Sequence, residues 1–163
     1  MRSFHLKNKV LASLSLVLAI FIFCSIFFLV RANRPMYRAK KEAIGIAEEL
    51  TDLKKVDKFY WYTREKTYFT LMGTTAKEEQ IIVIVPQDGE KVTVLDQKSG
   101  LSENDVLTKI IEAENPNKIV KINLGMIDDL PTWEVVAQNE NNGMDYYLVD
   151  FESGKVIDII KNV

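Results

Sequence analysis

Hydrophobic and polar positions divide the chain into one long apolar run followed by shorter patterned segments. From Val10 to Val30 no residue is charged, and nearly all are Leu, Ile, Val, Phe or Ala. At about 1.5 Å per residue the run spans roughly 31 Å as a helix, close to the ~30 Å hydrocarbon core of a bilayer. A buried helix of a soluble protein rarely lacks polar residues on every face. The pattern therefore predicts a transmembrane helix over 10–30, with a short tail over 1–9. The run is too long for a signal peptide, and Phe23 stands where a lipoprotein signal needs a small residue before Cys24, so an uncut anchor is expected.

Beyond the run, Pro35 restricts Arg34 to extended conformations and predicts that the first helix ends or kinks there. Met36, Ala39, Ala43, Ile44, Ala47 and Leu50 recur at helical spacing, so a second helix is expected, with Arg38, Lys41, Glu48 and Glu49 on its solvated side. Strand-like runs follow at Val56–Thr63, Thr67–Thr74, Gln80–Val85 and Lys91–Asp96, with a turn at Pro86-Gln87-Asp88-Gly89. The pattern then restarts. Ser102 and Asp105 are spaced as a short-armed capping box, Val106, Leu107, Ile110 and Ile111 form an apolar stripe, and Asn115-Pro116 ends the helix. Four more strand-like runs lie at Lys118–Met126, Thr132–Gln138, Asp145–Phe151 and Lys155–Lys161.

These two series superimpose without gaps at an offset of 64 residues. Lys91-Val92 falls on Lys155-Val156, and Ile84-Val85 falls on Leu148-Val149. The expected fold is α+β: an N-terminal transmembrane helix, then tandem halves over 35–97 and 101–163, each a helix laid on an antiparallel sheet. Ile81–Val85 is apolar at every position, as in a strand covered on both faces, and Ile84 on this sheet and Val135 on the other are predicted core residues.

Charge is unevenly distributed. The net charge is −2, yet residues 1–41 carry eight basic side chains and no acidic one, leaving 13 basic and 23 acidic residues in 42–163. A body with a net charge of −10 repels phosphate backbones, which argues against nucleic-acid binding. Both flanks of the apolar run are basic, with Arg2, Lys7 and Lys9 before it and Arg31 and Arg34 after it. The positive-inside rule therefore leaves the orientation open.

Candidate chemistry is sparse. The only histidine, His5, precedes the apolar run, and the only cysteine, Cys24, lies inside it. The body thus lacks nucleophile pairs built on histidine and zinc ligands of ordinary composition. It has no glycine-rich phosphate loop, and Asn139–Gly143 fails calcium-loop spacing and reads as a hairpin turn. Asp128-Asp129 is the densest carboxylate pair and the one place for a carboxylate-based hydrolase, but adjacent residues in a turn face water. No catalytic, metal, cofactor or small-molecule site is expected. The run Phe59-Tyr60-Trp61-Tyr62 alternates on a strand. One face fills a core, and Tyr60 and Tyr62 on the other are the candidate residues for binding a protein partner.

Gly125, Trp133-Glu134-Val135, Tyr146-Tyr147-Leu148-Val149-Asp150 and Ser153-Gly154-Lys155-Val156 resemble a PepSY domain. The whole chain is similar to the TseB/YpmB-like family of Gram-positive bacteria: a short tail, one membrane span, a DUF5590-type half and a PepSY-like half. The resemblance implies cystatin-like halves outside the cytoplasm. It also implies a non-enzymatic role in regulating cell-wall elongation by contact with a penicillin-binding transpeptidase. PepSY domains that restrain peptidases supply the alternative, an inhibitor or modulator of a membrane or secreted peptidase. The family brings no catalytic residues.

Overall fold

A computed structural model describes residues 2–163, with side chains from Ser13 onward apart from Asn33. The tail expected over 1–9 and the first positions of the expected span, Val10–Ala12, lie outside the residues whose side chains are described. The chain divides into two compact units, Met1–Ala39 and Lys40–Val163.

Helix α1 (Arg2–Leu50) is a single element. Pro35 lies inside it, so of the expected end or kink at that residue the end, with a new helix beginning beyond it, is corrected. Proline withholds one N–H from the carbonyl four residues earlier, but the intrahelical bonds on either side can carry the helix past it. From Leu14 to Val30 the large apolar side chains of α1 are exposed on every side. By length and composition this helix is sufficient to cross a membrane.

The second unit contains eight strands, one further α-helix and a short 3-10 turn at Gln97–Ser99. β1 (Leu53–Thr63), β2 (Thr67–Thr75), β3 (Gln80–Pro86) and β4 (Thr93–Asp96) form one antiparallel sheet in sequence order. Helix α2 (Glu103–Glu114) leads into β5 (Lys118–Ile127), β6 (Leu130–Gln138), β7 (Met144–Asp150) and β8 (Val156–Ile160), a second antiparallel sheet of the same order. A shift of 64 residues carries both ends of β3 onto β7.

Local chemistry accounts for the boundaries. Ser102 accepts from the Asp105 amide while the Asp105 carboxylate accepts from the Ser102 amide, the reciprocal capping box the spacing predicts. Asn115 closes α2 in the left-handed region at φ 45°. Asp128 and Asp129 both have positive φ, the two-residue turn that matches hairpin twist, and both are exposed. Asn139 ties the β6–β7 turn: its Oδ1 accepts from the Asn141 and Gly143 amides, and its Nδ2 donates to Asp145 and Asn162.

The first sheet is covered on both faces, as the unbroken apolar run of β3 predicts. Phe59, Leu71 and Val83 share one face, over which the end of α1 lies. Ala43 and Ala47 of that helix are buried, and Lys40 Nζ stands 5.8 Å above the Phe59 ring. Tyr60, Ile82 and Ile84 share the other face and join one core with Val106 and Ile110 of α2 and Leu124, Trp133 and Val135 of the second sheet. Ile84 and Val135 are both fully buried, as expected. The α2 stripe is narrower than predicted, because Ile111 is 47% exposed.

Candidate functional site

The aromatic alternation in β1 is as the sequence indicates, but the face assigned to a partner is not free. Tyr60 is 8% exposed and Tyr62 is fully buried, whereas Phe59 and Trp61 are half-buried. Tyr60 and Tyr62 therefore do not form an exposed contact surface. The reason is that the face they occupy meets the second sheet. Alternation separates two faces of a strand without telling which of them another part of the chain will cover.

What they build is a seam between the sheets. The Tyr60 ring meets Trp133 edge to face, with centroids 5.7 Å apart. Its hydroxyl donates to Glu103 at the start of α2 over 2.6 Å, and Lys58 donates to the same carboxylate oxygen. Burial pushes Glu103 upward, but the hydrogen bonds from Lys58 and Tyr60 and the Lys58 charge outweigh it, holding the carboxyl below its usual range. Burial, reinforced by the same carboxylate, drives the Tyr60 hydroxyl well above the usual phenol range. Thr70 Oγ1 donates to the Leu124 carbonyl over 2.7 Å in the buried middle of the seam.

Gly125 is required by this packing. A Cβ built on it would stand 2.2 Å from the Tyr62 ring, so only a bare backbone admits the tyrosine. The Tyr62 hydroxyl is buried without a hydrogen-bond partner. Burial and the Glu134 charge, against the opposing effect of Arg64, push it up to about 12. Arg64 Nε reaches Glu134 over 3.2 Å and links the β1–β2 hairpin to the middle of the second sheet. Sequence reasoning missed Lys58, Glu103, Arg64 and Glu134. Only Glu134 left a signal, a lone carboxylate inside the apolar run Trp133–Ala137, which requires a cationic partner if it is buried.

Where the seam reaches the surface, the tip of the β1–β2 hairpin and the β5–β6 turn frame a groove of about 480 Å³. Arg64, Lys66 and Tyr68 line one side, and Asp128, Asp129 and Ile157 the other. Asp129 also lies 3.8 Å from Lys91, an exposed pair of little energetic consequence. Cations, carboxylates and apolar side chains all line this groove, which suits a polypeptide better than an apolar small molecule. Among the described residues, no group of three or more His, Cys, Asp or Glu side chains is placed to hold a metal ion.

Residues 42–86, from the end of α1 through β3, match the family model described as the cell wall elongation regulator TseB-like domain. The YpmB protein from Bacillus subtilis superimposes with a TM-score of 0.66 at 28% identity, over 74% of this chain and 95% of that one. The chain is TseB/YpmB-like. A candidate lipoprotein from Clostridium difficile 630 aligns at 14% identity and a TM-score of 0.40, over 75% of this chain and 91% of that one. A comparison with curated protein sequences returns no match. Within the TseB-like segment fall Lys58, Tyr60, Tyr62, Arg64 and Thr70, the residues of the β1–β2 hairpin that make the polar contacts and tyrosine packing of the seam.

Proposed function

We propose that this TseB/YpmB-like chain is a membrane-anchored, non-enzymatic regulator of cell-wall elongation that acts outside the cytoplasm by binding a penicillin-binding transpeptidase. The observation that carries the reading is the match of residues 42–86 to a cell wall elongation regulator domain. The exposed apolar stretch of α1 supports the anchor. A body without histidine or cysteine supports a binding role over a catalytic one. We read 35–97 and 101–163 as related DUF5590-type and PepSY-like halves of cystatin-like form, a reading supported by the shared strand order. The groove at the end of the seam is the proposed contact, because both halves contribute to it and it is open to solvent.

Site-specific photo-crosslinking in a Gram-positive host tests this. Probes at Lys66 and Ile157, on the groove rim, should attach to a transpeptidase, while a probe at the exposed Val120 should not. Capture of a peptidase instead would replace this reading with that of a peptidase modulator. Attachment from Val120 but not from the groove would move the contact elsewhere.

A further inference from the structure

We propose that Arg31, Arg34 and Arg38 form a binding stripe for the phosphates of anionic lipid headgroups, an inference that rests on the reading of α1 as a membrane anchor. The continuity of α1 through Pro35 is what creates the stripe. At 100° per residue, positions 31, 34 and 38 fall within an arc of about 60°. Had the helix ended at Pro35, Arg38 would have no fixed relation to the other two. All three side chains are exposed, and none forms an ion pair with a described carboxylate. The first acidic residue of the chain is Glu42, so nothing earlier in the sequence neutralises them.

Position along the helix selects the partner. Arg31 directly follows the apolar run that ends at Val30, and Arg38 lies about 10 Å further along the axis. The polar layer of a bilayer leaflet is about 5–8 Å deep, and arginine side chains extend along a helix to keep their charge at that depth. Tyr37, 72% exposed, is the residue type that favours the same layer. A guanidinium pairs with phosphate through two parallel N–H donors. A stripe with that function explains why the chain keeps arginines just after the apolar run although they blur its charge asymmetry.

The test uses the full chain reconstituted in phosphatidylcholine vesicles carrying a trace of spin-labelled phosphatidylglycerol or spin-labelled phosphatidylcholine. The motionally restricted fraction of each label, read by electron paramagnetic resonance, gives the relative association. The native chain should prefer the anionic label, and the preference should shrink at high salt. The triple variant R31Q/R34Q/R38Q should lose at least about fivefold of that preference, while R31K/R34K/R38K keeps most of it. Equal restriction of both labels by the native chain, or a preference unchanged by the glutamine variant, overturns the stripe. A preference abolished by added inorganic phosphate at constant ionic strength assigns the site to a free anion and overturns the lipid proposal. Failure of the native chain to stay with the vesicles through an alkaline wash overturns the anchor reading itself, an outcome separate from any difference between the labels.

Discussion

At the scale of single residues, the seam depends on one absence and one ionised group. Gly125 leaves the space that the Tyr62 ring occupies, with the nearest ring atom 2.2 Å from where a Cβ would stand. A G125V chain must displace that ring or part the sheets. The expected loss is about 2–4 kcal/mol, typical of severe core overpacking, measured by chemical denaturation. A Y62F chain should lose little or gain stability, because the hydroxyl it removes is buried without a partner. Glu103 gives the seam a dependence on pH. Its carboxyl is held below the usual range in the folded chain, so the stability it contributes is complete above the unfolded-state pKa and is lost as pH falls through the folded one. The melting temperature of the native body should therefore fall faster than that of E103Q between about pH 5 and pH 3. Parallel curves for the two would show that Glu103 adds nothing to folding.

The elements were legible in the sequence to very different degrees. Turns and helix ends announced themselves through local chemistry: Asp128, Asp129 and Asn115 are residue types that tolerate the positive φ they adopt, and the Ser102–Asp105 pair caps α2 with its side chains. Strand cores were legible because Ile81–Val85 is apolar without alternation. Pro35 misled because the local rule about the residue before proline carries less weight inside a long helix, where many other intrahelical bonds persist. The role of Tyr60 and Tyr62 was illegible because it depends on Glu103 of α2, Trp133 of β6 and Gly125 of β5, all far along the chain from β1. Sheets joined in this way should not stand alone. Fragments 35–97 and 101–163 expressed separately should each expose half of a common core and fail to show a cooperative melt, whereas co-expression should restore one transition. Two fragments that melt cooperatively alone would make the seam a docking contact between independent domains.

For the whole molecule, the proposed function makes the anchor a matter of concentration. Confinement to a membrane shared with the partner raises the effective concentration of the body, so a weak contact suffices. An unrelated transmembrane helix in place of 10–30 should preserve cell elongation in a strain that depends on this protein. A body released from residue 33 onward should restore little at native expression and more when overproduced, with cell length as the readout. Full rescue by the released body at native expression would remove the concentration argument. A strict need for the native apolar helix would place recognition inside the bilayer.

Trp133 gives the seam an optical signature. It is fully buried, lies edge-on to Tyr60, and donates from its indole to the Leu101 carbonyl. The other tryptophan, Trp61, is half-buried on the opposite face of the first sheet. A W61F chain therefore emits from a single fluorophore placed where the two sheets meet. Its emission should stay at short wavelength while they remain closed and shift to the red when they part, even if every strand keeps its circular dichroism. Any partner that opens the two sheets would thus be recorded in unlabelled protein, and one that grips them closed would leave the colour unchanged while shielding it from quenchers.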